Sequence, residues 1–219
     1  MDSKVVTREI KRLVWPLLKK SGFDTFTSRV AWRHTADQID VLAFESFNAY
    51  NADIMEVTTF SFAVRLGTFP LYIPPQWPPK VKNGVQLPHE AACPFRRSLQ
   101  TTLQFPLSDK SIWSVDRDGR NLSWCMQDVL KQIPDALGWY SRLAQREYVL
   151  DVLQDEHERN SGAWGFGNNP SPIRAYLTGY AALAVGNRAL AETKLQEAVD
   201  SKCFTQLFSS VPGAISRAV

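Results

Sequence analysis

The chain has 219 residues, 44% hydrophobic and 21% charged, the composition of a globular protein long enough to bury a core without staples. Twenty-five basic residues face 22 acidic ones, giving a net charge of +3 and a pI near 8.8. With the basic residues spread along the sequence, this mild balance does not argue for DNA or RNA, since dedicated nucleic-acid modules usually cluster Lys and Arg at a pI above about 9.

Val6, Ile10, Leu13, Val14, Leu17 and Leu18 fall at helical spacing, with Arg8, Lys11, Arg12 and Lys19 on the opposite face. Pro16 predicts a kink or an irregular last turn, and Gly22 closes the helix. Phe26 to Arg33 alternates in fragments. Ile39 to Phe47 and Thr58 to Leu66 predict two longer strands, joined by the polar stretch Asn48 to Asp53. Phe69 to Ile73 adds a short strand before the prolines. Pro74-Pro75-Gln76-Trp77-Pro78-Pro79 predicts a stiff loop whose Trp77 packs on the body, or else a polyproline-type peptide ligand. Lys110 to Val115 predicts a further strand, ending at the Asp116-Arg117-Asp118-Gly119 turn. From Asn121 the periodicity is helical. Leu122, Met126, Val129, Leu130, Ile133 and Leu137 share a face, with a bend at Pro134. Further helices are predicted from about Leu143 to Glu158, Pro172 to Val185 and Arg188 to Ser201. Together these elements predict an α+β fold, an N-terminal helix packed on an antiparallel sheet followed by an all-helical C-terminal third. Residues 1–143 would form the α+β domain and 144–219 a helical subdomain packed on it.

Two resemblances bear on this. Lys20-Ser21-Gly22-Phe23, Phe44-Glu45-Ser46, Leu66-Gly67, Cys93-Pro94-Phe95-Arg96-Arg97 and Ile112-Trp113 follow one another in order. Over residues 4–143 the chain thereby resembles the bacterial domain of unknown function 4304 group. Glu45 stands where that pattern has glutamine, and Trp113 is single where it often doubles. The resemblance implies an α+β fold and a small bacterial cytosolic protein, and it carries no activity. Between Pro172 and Lys202, Gly179, Gly186, Ala191, Leu195 and Ala198 match the packing positions of a tetratricopeptide helix pair. Ala175 and Thr178 replace its larger residues, and the closing proline is absent. A single such pair cannot bury its own apolar face, so it is expected to dock on the preceding helices.

Few residue sets point to chemistry. His34, Asp37 and Asp40 are close in sequence but mark a turn, and His157 lies between Glu156 and Glu158, whose side chains diverge on a helix. No metal and no cofactor is expected. Cys93 is the best nucleophile, with Arg96 and Arg97 to favour a thiolate and His89 four residues away. The plainer reading is a buried thiol at the start of an element. The other cysteines, Cys125 and Cys203, share no metal-like spacing with it, and reduced thiols are expected. Gly162 to Gly167 is glycine-rich, without the Lys-Ser or Lys-Thr of a phosphate loop, and Arg174 offers an anion contact at the next helix start.

The favoured expectation is a non-catalytic, cytoplasmic protein-binding module, of the immunity or adaptor kind found beside bacterial toxins. Its partner is another protein, with no membrane and no nucleic acid. The N-terminus enters an amphipathic helix rather than an apolar signal core, and no run reaches the roughly 18 apolar residues of a membrane span. The contact candidates are Trp77, Arg96, Arg97, Trp164, Phe166 and Arg174, because Trp and Arg often anchor interfaces. The rival expectation is a small enzyme using a Cys93/His89/Arg96 cleft.

Overall fold

Val6, Ile10, Val14 and Leu18 recur at every fourth residue, and all four are fully buried. In a regular α-helix such a row drifts by about 40° per step, because each residue turns about 100°. Here the drift is reset midway. α1 (Ser3–Glu9) opens into a π turn (Ile10–Val14) before α2 (Trp15–Lys20). The Trp15 amide donates to the Ile10 carbonyl five residues back, and this wider turn returns the row to the core. Pro16 sets its position, having no N–H for the carbonyl four residues earlier. In the computed structural model, residues 3–105, 109–155, 166 and 171–218 are described.

The strands are β1 (Thr25–Phe26), β2 (Val30–His34), β3 (Gln38–Ser46) and β4 (Phe62–Pro70), then a small separate hairpin of β5 (Val81–Lys82) and β6 (Val85–Gln86), and finally β7 (Phe95–Ser98) and β8 (Ile112–Trp113). The main sheet runs β1-β2-β3-β4-β7, with β8 on the other end of β4, and every pairing is antiparallel. The predicted polar connection holds a short helix, α3 (Ala49–Ile54), capped by the Asn48 side chain, which accepts from the Asn51 amide at 2.8 Å. β4 starts four residues later than predicted, after a Thr58–Ser61 turn, and continues through Phe69 and Pro70, so no separate strand forms there.

Strand alternation divides the sheet into two covered faces. Leu42, Phe44, Phe62, Val64 and Leu66 join the N-terminal helix in the main core. Trp32, Ile39, Val41, Phe69 and Cys93 form a second cluster on the reverse face, closed by the chain that follows β4. α4 (Leu122–Leu143) runs unbroken through Pro134 and buries Leu122, Met126, Val129 and Ile133, as its periodicity predicts. α5 (Arg146–Gln154), α6 (Pro172–Ala184), α7 (Arg188–Asp200) and α8 (Val211–Ile215) follow; the last has no counterpart among the expected elements. Tyr176, Tyr180 and Leu195 belong to the same continuous core as the sheet and the first helix. The molecule is thus mixed α and β, with an antiparallel sheet and helices.

Two carboxylates sit inside this core, each fully hydrogen-bonded. Asp40 receives Arg33 Nε at 2.8 Å, Gln38 Nε2 at 2.8 Å and Thr68 Oγ1 at 3.1 Å. Burial pushes its carboxyl up to about 6, against the pull of Arg33. Asp128 on α4 receives Thr101 Oγ1, the Thr102 amide and Trp113 Nε1 at 3.0, 3.1 and 2.9 Å. Burial raises its pKa too, but these donors and the Thr102 hydroxyl together hold it below the usual value. Both are fastenings between elements, tying β3 to β2 and β4, and α4 to the approach to β8.

Candidate functional site

Beyond Pro70 the chain leaves the sheet but remains anchored. Tyr72 and Ile73 are buried in the main core, and the Pro74 carbonyl accepts the Tyr176 hydroxyl at 2.7 Å. Pro75 to Pro79 then swings outward with Trp77 at its tip, 74% exposed. The return leg is the β5–β6 hairpin, turned by Asn83 and Gly84 at φ 52° and 78°. Both residues are left-handed, the two-residue turn that Asn-Gly favours. Two groups on β2 hold the hairpin's far end. Trp32 Nε1 donates to the Pro88 carbonyl at 2.9 Å, and His34 Nε2 to the Gln86 carbonyl at 2.8 Å. His34 Nδ1 lies 2.7 Å from Asp24 Oδ1.

The loop so pinned overhangs a cleft of about 240 Å³. Phe69, Cys93 and Leu177 line it with Pro74 and Pro94, together with Trp77 of the loop and Ile173 of α6. The lining is mostly apolar, with Gln76 and Tyr176 as its polar side chains and so little to orient a polar ligand. Small-molecule sites usually measure roughly 300–1,000 Å³, so this cleft suits one or two apolar side chains better than a cofactor. Ile173 is itself 39% exposed, extending the apolar rim.

Cys93 lies at the cleft wall but is 1% exposed, with Sγ 3.6 Å from the His89 carbonyl oxygen. Burial pushes the thiol well up, Glu90 and Asp40 add to the rise, and Arg96 offsets little of it. A protonated, enclosed thiol is a poor nucleophile. His89 does not serve it as a base: its Nδ1 accepts the Ala91 amide at 3.2 Å and caps the turn Glu90–Ala92. The expected Cys93/His89/Arg96 cleft therefore does not assemble as a catalytic set.

The six contact candidates separate. Trp77 is on the surface at the cleft. Arg96 and Arg97 are neighbours on β7 and so point to opposite faces of the sheet; Arg97 pairs with Asp135 of α4 at 2.7 Å, while Arg96 Nε is buried without a hydrogen bond. Arg174 and Phe166, read from sequence as surface contacts, are 2% and 1% exposed. Arg174 donates to the carbonyls of Leu153, Val152 and Asp155 at 2.7, 2.9 and 2.6 Å. It satisfies the carbonyls that the end of α5 leaves without amide partners, which is a reason to bury a guanidinium. Phe166 lies beneath that guanidinium at 5.1 Å and meets the edge of Phe95 at 5.6 Å. Neither is offered to a partner or an anion. Trp164, His157 and the rest of the Gly162 to Gly167 stretch lie outside the described residues. Among the described residues no three His, Cys, Asp or Glu side chains group as metal ligands, and no helix is long and apolar enough to cross a membrane.

No protein-family model matches this chain, and neither a curated protein nor a solved structure does.

Sequence reading missed the cleft because its walls come from segments about 100 residues apart. One local signal was available. Asn83-Gly84 between Val81-Lys82 and Val85-Gln86 marks a tight hairpin, and hence a loop that turns back on the sheet instead of wandering.

Proposed function

We propose that this protein is a non-catalytic, cytoplasmic protein-binding module of the immunity or adaptor kind, and that it grips its partner with Trp77 and the cleft beside it. In this reading residues 1–143 form an α+β body, with the first helix packed on the sheet. Residues 144–219 form a helical subdomain on that body, and α6 supplies the cleft's far wall. The observation that carries the proposal is Trp77 itself. An indole left 74% exposed at the tip of a loop contributes little to holding the fold, whereas a rigid aromatic beside an apolar recess is the usual anatomy of an interface anchor. The prolines on either side reduce the conformational freedom that binding would remove, which favours tight association.

The test is quantitative capture from the native host with wild-type and Trp77→Ala protein. The expected result is a partner whose retention falls by at least about thirtyfold on truncation, as for an anchor worth about 2 kcal/mol or more, while the melting temperature stays unchanged. Equal retention of every captured protein by the two forms would refute the assignment.

A further inference from the structure

The mild net charge conceals a segregation that folding exposes. Residues 3–20 contain six bases and a single acid, Glu9, a net of +5 against +3 for the whole chain. The remainder is therefore net acidic. The π turn that keeps Val6, Ile10, Val14 and Leu18 on one line does the same for the positions halfway round the helix. Lys4, Arg8, Arg12, Pro16 and Lys20 form an outward row, with Lys11 and Lys19 flanking it, and all seven are exposed. Glu9 is committed to Arg12 at the same surface, with Nε 3.2 Å from Oε2. The row covers about 24 Å, at about 6 Å per step along the axis.

What can dock there follows from what the face lacks. The row Val6, Ile10, Val14 and Leu18 is sunk in the core at 0% exposure, so the helix has no continuous apolar face to lay into a bilayer. Leu17, at 39%, is the one large hydrophobic exposed on it among the described residues, too little for the apolar centre of a protein interface. Trp15 is buried and unable to stack on a base. A rigid row of cations without an apolar centre matches a regularly spaced polyanion. We propose that the outward face of the N-terminal helix binds the phosphodiester backbone of nucleic acid without regard to base sequence. This surface is independent of the Trp77 cleft.

Fluorescence anisotropy with a labelled 20-base-pair mixed-sequence DNA duplex and the matching RNA duplex tests this, across 50 to 200 mM salt. For four phosphates neutralised on a DNA duplex, the slope of log K against log salt should be near −3.6, about a hundredfold weakening over that range. The variant Lys4→Gln, Arg8→Gln, Arg12→Gln, Lys20→Gln should lose at least tenfold in affinity and most of that slope, with an unchanged circular dichroism spectrum. Arg8→Lys with Arg12→Lys should bind as wild type, which guards against a folding defect in the neutralised form. A control removing the same charge elsewhere, Lys80→Gln, Lys82→Gln, Lys110→Gln, Lys131→Gln, should stay within about twofold, since only the local row contacts phosphate. Absence of binding to both duplexes at 50 mM salt would overturn the proposal, as would an equal loss in the control. So would tighter binding to polyglutamate or to phosphatidylserine vesicles than to either duplex.

Discussion

Replacing Gly179 by alanine sets two physical effects against each other, and the structure determines which prevails. Gly179 lies inside α6, where the change to alanine should stabilise the helix by about 1 kcal/mol through propensity alone. But α6 packs against α7 at this point. A methyl group on Gly179 would sit 2.7 Å from both Cγ and Cδ2 of Leu195, and 3.3 Å from its backbone nitrogen. Carbon atoms prefer about 3.5–4.0 Å, so Leu195 or the whole of α7 must move by most of an ångström. Leu195 is fully buried and has no solvent to swing into. Forcing an extra methyl into such a core usually costs about 1–3 kcal/mol, and here the upper half of that range applies because backbone is also in the way. The expected net effect is a loss of about 1–2 kcal/mol, seen as a lower urea midpoint at constant slope and a melting temperature down by about 2–8 °C. Leu195→Ala alone should cost about 2–5 kcal/mol by opening a cavity. The double variant should be no less stable than Leu195→Ala, because the added methyl enters that cavity and the propensity gain survives. A Gly179→Ala protein about 1 kcal/mol more stable than wild type, with effects that add in the double variant, would show that the two helices do not meet as closely as described.

Cys93→Ser should cost about 1 kcal/mol in urea unfolding, for a hydroxyl placed among apolar neighbours, and should leave partner capture intact, because the thiol sits in the cleft wall only 1% exposed and offers a partner almost no surface; lost capture at unchanged stability would restore a functional thiol. In a native thiol titration Cys203, exposed, should react promptly, while Cys93 and Cys125, both buried, should wait for unfolding; fast reaction of two or three thiols would contradict that burial. Asp40 supplies a pH test. Its carboxyl is raised from 3.8 to about 6 in the folded state, so folding takes up a proton between those values. The stability this contributes is fully present below about pH 4 and is lost as pH rises through about 6. The stability of wild type minus that of Asp40→Asn should accordingly fall by about 3 kcal/mol from pH 4 to 7, at about 1.4 kcal/mol for each pH unit between the two values. A difference that grows with pH would mean that Arg33 outweighs burial and holds the carboxylate ionised.

Much of the architecture was legible because it depends on local periodicity. The β-branched and aromatic run from Ile39 to Phe47 marks β3, whose two faces are both covered, and spacing by three and four from Leu122 to Leu137 marks α4, since that pattern places its apolar residues on one buried face. Gly186-Asn187 separates α6 from α7 where expected, with the Asn187 side chain accepting the Leu190 amide as a cap. Boundaries were less accessible. The turn at Thr58–Ser61 and the extension of β4 to Pro70 depend on pairing with β3, not on the residues' own preferences.

The sequence by itself determined the longer helices and strands, the apolar face of α4, and that Pro16 must disturb the first helix, but not α3, the β5–β6 hairpin or α8. Only the tertiary structure decided which conspicuous side chains remain outside. Trp77 and Phe166 are both aromatics in Gly- or Pro-rich connections, yet one is exposed and the other is covered by Arg174 and Phe95. Arg174 looked like a surface cation at a helix start, and became interior because the end of α5, some twenty residues earlier in the chain, brought carbonyls needing a donor. The charge row on the first helix likewise disappears in a whole-chain sum and emerges only when a π turn lines it up. Periodicity is carried by neighbours along the chain. Exposure depends on which distant segment arrives to cover a residue, and on which unpaired groups that segment brings with it.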